Sequence, residues 1–171
     1  TIWTSSLLAG FGDTRVSNLI RVDDDLRVVE GTGMANPATR FHLWVYAARP
    51  DVRSIVHTHP PHASALAITG RQLQVAHMDM MMFHDDLAYL PKWPGVPLAD
   101  EEGRLIAEAL GTKDTILLAS HGMLTAGRSV EHAVHLAALF EMAARIQLLA
   151  EASGQPIQPV DPAHARDAYK L

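Results

Sequence analysis

The chain alternates short apolar runs with longer helical stretches, and this alternation constrains its fold more than any other feature. Val52–His59 and Thr115–Ser120 are apolar runs of the kind that forms buried strands. Strands interleaved with helices predict an α/β fold with the sheet in the middle. The stretches with helix start and stop signals are about Pro37–Ala48, His62–Thr69, Ala99–Leu110 and Val130 to about Ala152.

Two connections between predicted strands are short, which limits how those strands pair. Leu19–Val22 and Leu26–Glu30 flank three consecutive aspartates, and Met123–Ala126 follows a sharp turn at His121-Gly122. Hairpins of this length join antiparallel strands, so we expect a mixed, mostly antiparallel central sheet.

The remaining segments carry weaker signals. We expect residues 1–12 to be irregular, Gln74–His77 to form a strand, Tyr89–Pro97 to form a loop, and the tail from Gly154 to lie irregularly on the surface. No linker or internal repeat divides the chain, so we expect a single domain over residues 1–171.

Composition excludes several functional classes. The 171 residues contain no cysteine, which excludes a disulfide framework, a thiolate metal site and a cysteine nucleophile. The net charge of −5 argues against non-specific binding to nucleic acid, which needs a basic face. We expect no apolar run of membrane-spanning length, no leader segment and a cytoplasmic location without a membrane partner. Ten histidines remain, so metal or acid–base chemistry has to rely on imidazole and carboxylate.

His57-Thr58-His59 is the sharpest local motif, because it ends an apolar strand. Residues i and i+2 of a strand point to the same face, so both imidazoles project together. Such a pair is half of a divalent-metal site, although the motif alone is equally compatible with two ordinary exposed histidines. His121 also ends an apolar strand, and the glycine after it permits close approach. Together the three predict an open three-histidine metal site.

Other polar groups are candidates for the surrounding chemistry. His84, Asp85 and Asp86 could supply an acid or base to a bound substrate, or could form a solvated loop. His62 lies three residues after His59, where it could line a pocket or simply occupy a helix start.

From about Leu19 to Ala150 the sequence resembles the class II aldolase/adducin head family. The resembling pieces, in order, are Asn36-Pro37-Ala38-Thr39, Arg49-Pro50-Asp51-Val52, Val56-His57-Thr58-His59-Pro60, Leu117–Gly122 and the long helix with Glu141. This resemblance implies a three-layer α/β/α sandwich, commonly in a homotetramer that acts on a small molecule. It also implies a divalent metal on His57, His59 and His121, most often Zn²⁺ and in some members Mn²⁺, Fe²⁺ or Co²⁺.

Two departures from the family pattern shape the functional prediction. The first strand and helix that precede the resembling stretch in most members do not appear before Thr1. Ala38 stands where the sugar-phosphate aldolases of the family carry a catalytic glutamate. We therefore expect His84, Asp85 and Asp86, or alternatively His62, to replace that acid or base. An apolar set could hold a ring: Trp44, Met80, Met82, Phe83 and Trp93.

Taken together, the sequence predicts a metal-dependent lyase of the aldehyde-lyase type, which cleaves a carbon–carbon bond through a metal-stabilised enolate. We expect Asn36 and His62 to line its substrate pocket. The alternatives are a metal-dependent decarboxylase of an aromatic or hydroxy acid and a non-catalytic adducin-like module.

Overall fold

A computed structural model describes residues 1–95 and 100–169 of the chain. Within these ranges the chain forms seven strands and five α-helices. They are β1 (Ile2–Ser5), β2 (Leu19–Val22), β3 (Val28–Glu30), α1 (Thr39–Ala48), β4 (Ser54–Thr58), α2 (Pro61–Ile68), β5 (Leu87–Leu90), α3 (Asp100–Leu110), β6 (Thr115–Leu118), β7 (Gly122–Gly127), α4 (Val130–Ala152) and α5 (Pro162–Tyr169).

The central sheet has four strands in the order β4-β7-β6-β5. β7 pairs antiparallel with both β4 and β6, whereas β5 pairs parallel with β6. The predicted mixed, mostly antiparallel sheet is confirmed. The register sets His57 opposite Leu124 and Thr58 opposite Met123, so β4 and β7 carry the site to one edge of this sheet.

Helices cover both faces of the central sheet and give the chain three layers. On one face, α1 and α3 pack through Phe41, Val45 and Ile106 against the strands. On the other face, α2 and α4 pack through Leu66 and Phe140. The predicted α/β/α arrangement is thus confirmed, since each face of the sheet buries its own apolar cluster.

A second, smaller sheet contains β1, β2 and β3, all antiparallel. The predicted hairpin between β2 and β3 is present, and the Asp23 carboxylate closes it by accepting the backbone N–H groups of Asp25 and Arg27. The prediction of an irregular opening is wrong, because β1 pairs with β2. Ile20 and Val22 of β2 are fully buried in this region.

Three further local predictions differ from the structure. The predicted strand at Gln74–His77 is irregular: the Gln74 N–H donates to the Gln147 side chain and the Val75 carbonyl accepts from Val160 N–H. The predicted Tyr89–Pro97 loop begins inside β5, is irregular over residues 91–95, and ends outside the described residues. The predicted irregular tail contains α5, in which the Asp161 carboxylate accepts the Ala163 N–H at the helix start.

Helix α4 corrects the expectation that no apolar run reaches membrane-spanning length. Its 23 residues are long and apolar enough to pass such a test by length and composition. In the structure it packs against the central sheet, with Leu136 and Phe140 buried in the core. Its start is as predicted, since the Ser129 hydroxyl accepts the His132 N–H. We interpret α4 as a core helix of the domain.

Candidate metal centre

The three predicted histidines converge on one point. One ring nitrogen from each of His57, His59 and His121 lies within 4.8 Å of the corresponding nitrogens of the other two. The Nε2 atoms of His57 and His59 are only 3.1 Å apart. The ring centroids of the three pairs lie 4.7–4.9 Å apart with steep angles between the ring planes. Three imidazoles directed at a common point are the donor set of an open divalent-metal site.

Two strand ends bring these side chains together. His57 belongs to β4 and His59 follows it, so both lie on the same face of the sheet. His121 lies in the tight turn between β6 and β7, where its N–H donates to the Leu118 carbonyl at 3.1 Å. Ser120 in this turn has a φ of 56°. The turn therefore places His121 beside the end of β4, because β7 returns along that strand.

The glycine at position 122 makes room for His59. A Cβ atom there would lie 2.6 Å from Cδ2 of His59 and 2.7 Å from the carbonyl oxygen of Thr58. Both distances are shorter than real contacts allow. The side chain of His59 thus occupies the space that any larger residue at position 122 would need.

Burial favours the neutral form of two of the three histidines, His57 and His121. Burial, followed by the nearby His121, His42 and His59, lowers the pKa of His57 from 6.5 to about 3. Burial and His59 also lower the pKa of His121. Nδ1 of His57 lies 2.9 Å from the Met123 carbonyl oxygen, so the protonated Nδ1 donates there and Nε2 keeps its lone pair. Neutral imidazoles with free lone pairs are the form that binds a metal.

A buried carboxylate accompanies His121. The Glu102 side chain in α3 is 4% exposed, and its Oε1 lies 3.3 Å from Nδ1 of His121. Neither Glu102 oxygen nor Nδ1 of His121 has a formed hydrogen bond to the described residues. Burial raises the pKa of Glu102. Polar atoms left without partners around three converging imidazoles fit a divalent cation that would organise the whole group.

A cavity of about 160 Å³ opens beside His57. Asn36 lines it, as predicted for the substrate pocket, and Oδ1 of Asn36 accepts the Ala38 N–H at 3.0 Å. His42 lines the same cavity, and burial lowers its pKa to about 4. The other lining residues are Thr4, Ser5, Ser6, Leu8, Ala9, Phe11, Ala38 and Thr39.

His62 lies at the start of α2, on the segment that leaves His59. Nδ1 of His62 is 2.7 Å from Oε1 of Glu141, which also accepts the His62 backbone N–H. Oε2 of Glu141 accepts the Ala63 N–H at 2.8 Å. Glu141 therefore both caps α2 and fixes the His62 ring with Nε2 pointing away from the carboxylate.

The structure does not bring His84, Asp85 and Asp86 to the three-histidine group of the same chain. Asp86 directly precedes β5, and its Oδ1 accepts the Asp114 N–H at 2.9 Å. β5 runs parallel to β6, so this turn lies at the start of β6, whereas His121 follows the end of β6. The four residues of β6 separate its two ends by about 10 Å. The prediction that these groups serve His121 within one chain is corrected by this placement.

The predicted ring-holding set is also divided. Met80 and Phe83 are buried on the α2–α4 face, where Phe83 packs edge-on against Phe140. Met82 packs against the same cluster, and the Trp44 Nε1–H donates to Asp100. Only Trp93 of this set has its ring near the metal centre, 6.4 Å from that of His121.

Sequence reasoning missed Glu102 and His42. The signal for Glu102 is its spacing, since residues 102, 106 and 110 share one helical face and the last two are apolar. An acid on the buried face of a helix needs a partner, and that partner is His121. His42 follows Ala38 by four residues and so shares its face of α1, which points to the cavity.

Comparison with known proteins places these features in a family context. A family model described as "Class II Aldolase and Adducin N-terminal domain" matches residues 1–148. Decarboxylase NovR of Streptomyces niveus is 34% identical over 158 residues, which cover 91% of this chain and 58% of that protein. A 4-hydroxy-3-prenylphenylpyruvate oxygenase/4-hydroxy-3-prenylbenzoate synthase of Streptomyces roseochromogenus is 33% identical over 156 residues, with coverages of 90% and 56%.

A solved structure shares both the fold and a good part of the sequence. The L-fuculose 1-phosphate aldolase of Glaciozyma antarctica superposes with a TM-score of 0.82 at 31% identity, over 91% of this chain and 60% of that one. The chain thus spans less than two thirds of the length of each of these three relatives.

Proposed function

Because the chain belongs to the class II aldolase and adducin N-terminal domain family, we propose that it is a metal-dependent lyase that breaks a carbon–carbon bond in a small carbonyl or hydroxy substrate. The observation that carries this proposal is the convergence of His57, His59 and His121 within 4.8 Å. Three imidazoles bind a divalent cation and leave coordination positions for substrate oxygens.

Zn²⁺ is the proposed metal, with Mn²⁺, Fe²⁺ and Co²⁺ as alternatives, and the three histidines would hold it. When bound, a divalent cation supplies a Lewis acid that stabilises negative charge developing on a substrate oxygen. The protein contributes a fixed set of donors, because the Met123 carbonyl fixes the His57 ring and Gly122 leaves the position of His59 open.

The cavity beside His57 is the proposed substrate pocket. Oδ1 of Asn36 is already used by the Ala38 N–H, so its Nδ2 group is free to donate to a substrate oxygen. Ser5 and Thr39 line the same space and would offer hydroxyl groups to the substrate. These neutral donors would orient a small oxygenated molecule with one end against His57.

Proton transfer needs a group other than a glutamate at position 38. We assign it to His62, which replaces His84, Asp85 and Asp86 as the candidate in a single chain. Glu141 accepts the Nδ1–H of His62, which leaves a lone pair on Nε2 to take up a proton and return it. His62 lies three residues after the ligand His59, so both belong to the same edge of the sheet.

Decarboxylation is the second candidate, and Ala38 favours it. Retro-aldol cleavage needs a base that removes the proton of the substrate hydroxyl and then a proton on the carbanion. Loss of CO₂ from a carboxylate needs only the second of these, so a site without a carboxylate at position 38 suits it better. The relative from Streptomyces niveus is itself named a decarboxylase. A non-catalytic module is disfavoured by the retained histidine group, although an adducin-related protein of Schizosaccharomyces pombe is among the relatives.

As part of the same proposal we expect a cytoplasmic homotetramer. Leu8 and Phe11, which line the cavity, are 91% and 80% exposed, which supports cover by another copy of the chain. Light scattering coupled to size exclusion would measure the assembly.

Product analysis tests the proposed reaction. The metal-loaded chain is incubated with a panel of hydroxy acids, sugar phosphates and hydroxyaryl carboxylic acids, and both aldehyde and CO₂ are assayed. Aldehyde release that a chelator abolishes and metal restores supports the lyase, and CO₂ release alone supports the decarboxylase. Turnover that persists after the metal is removed would contradict the assignment of the metal. Unchanged turnover in the His62→Gln variant would contradict the assignment of His62.

A further inference from the structure

Glu102 is the only ionisable side chain among the described residues that is buried below a tenth of its surface. The core that encloses it is apolar, because Ile106 and Leu110 share its face of α3. A buried carboxyl group is costly unless a polar partner or a cation compensates it. Its closest ionisable group is the ring of His121, at 3.3 Å.

The Glu102 carboxyl group and the His121 ring lie close together without forming a hydrogen bond. Oε1 of Glu102 and Nδ1 of His121 face each other, and both lack any other partner in the described part of the chain. If Nδ1–H of His121 is donated to this carboxylate, the lone pair on Nε2 of the same ring remains for a metal.

Helix packing holds Glu102 in this position. Gly103 lies so close to α1 that a Cβ atom there would be 2.4 Å from Cδ1 of Trp44. α3 and α1 therefore pack closely at the residue next to Glu102. This packing buries the Glu102 side chain, whose Oε1 lies 3.3 Å from Nδ1 of His121.

We propose that Glu102 is the positioning residue of the metal centre, which accepts the Nδ1–H of His121 and so fixes the tautomer that presents Nε2 to the metal. This inference rests on the proposed function, since it requires a metal on the three histidines. It gives His121 the same kind of support that the Met123 carbonyl gives His57, but with a charged acceptor. A carboxylate behind a ligand imidazole strengthens that ligand and lowers the net charge around the cation.

The expected effect is on metal affinity. Loss of a carboxylate that supports a histidine ligand weakens metal binding by about 10- to 100-fold. Glu102→Leu removes the acceptor while filling the apolar site, whereas Glu102→Gln keeps an amide oxygen that can still accept Nδ1–H. We therefore expect Leu to weaken binding strongly and Gln to rescue part of the loss.

The test measures the Co²⁺ and Zn²⁺ dissociation constants by chelator competition, with the visible spectrum of the Co²⁺ form as a second readout. Glu101→Gln, an exposed neighbour, and Ile106→Ala, a buried residue one turn along the same face, are the matched controls. We expect Glu102→Leu to weaken both metals and shift the Co²⁺ bands, while Ile106→Ala lowers the melting temperature without changing affinity.

Two results would overturn the inference: Glu102→Leu with native affinity and spectrum, or Ile106→Ala with the same loss as Glu102→Leu. An unmutated chain that binds neither metal would instead reject the proposed function, and the inference with it. The two failures are distinguishable because only the second appears in the unmutated chain.

Discussion

Gly122 and His59 share one space: a methyl group on the first would lie 2.6 Å from the ring of the second. β7 begins at Gly122, and its pairing with β4 brings it against the segment that ends in His59. The position of the His59 ring therefore depends on the absence of a side chain at residue 122 of β7.

The first prediction follows from that contact. Gly122→Ala should displace the His59 ring or push β7 away from the Thr58 carbonyl, which would lie 2.7 Å from the new Cβ. We expect metal affinity to fall by about tenfold or more, because one of three ligands is misplaced. Gly12→Ala is the matched control, since a Cβ at Gly12 meets nothing within 4 Å. Metal titration of both variants measures the effect, and equal affinity in the two would contradict it.

The second prediction concerns the pH dependence of the metal-free chain. The pKa of His57 is lowered from 6.5 to about 3 and that of His42 to about 4. Below pH 6.5 the unfolded chain takes up protons that the folded chain does not. The free energy of unfolding therefore decreases as the pH is lowered from 6.5 towards the pKa values of the folded state. Each such histidine contributes up to about 1.4 kcal/mol per pH unit.

Asp86 opposes this trend. Burial raises its pKa from 3.8 to about 6, so between these values the folded chain takes up a proton first and gains stability as the pH falls. The lowered pKa of His121 adds to the histidine side and the raised pKa of Glu102 to the carboxyl side. Because three histidines act against two carboxyl groups, we expect a net loss of stability between pH 6.5 and pH 4. Urea unfolding at several pH values in the presence of a chelator measures it. His42→Gln should flatten the dependence of the free energy of unfolding on pH. A free energy of unfolding that increases towards pH 4 would contradict the lowered pKa values of His57 and His42.

The third prediction concerns Glu141, whose two oxygens accept the His62 and Ala63 N–H groups and Nδ1 of His62. Glu141→Gln turns one acceptor into a donor that faces an N–H group. Leaving a buried donor unpaired costs about 1–3 kcal/mol of unfolding free energy. Glu108→Gln is the control, because Glu108 pairs with Arg104 on an exposed surface where such pairs contribute little. Chemical denaturation compares the two, and a loss no larger at Glu141 than at Glu108 would argue against the cap.

The convergence of His57, His59 and His121 could be predicted from the sequence because much of it depends on local rules. Alternation along a strand sets His57 and His59 on one face, and a tight turn after β6 returns the chain beside them with His121 at the turn. The alternation and the turn are local, whereas the pairing of β7 with β4 joins distant parts of the chain.

The misplaced acid–base cluster depended on strand direction, which the sequence did not determine. Residues 84–86 precede β5, and only the parallel pairing of β5 with β6 shows that this turn lies at the edge away from His121. An antiparallel β5 would have put the same residues at the histidine edge. Glu102 escaped notice for a related reason, since its partner is 19 residues away and is brought to it by the packing of α3 against the central sheet.

The most direct test of the account is the metal content of the purified chain. After chelation and reloading with Zn²⁺ or Co²⁺, we predict one divalent cation per chain, lost in His59→Ala and kept in His164→Ala, an exposed histidine on α5. Circular dichroism of the three proteins checks that each is folded. A native chain without bound metal, or His59→Ala with full metal content, would contradict the three-histidine centre on which the proposed function depends.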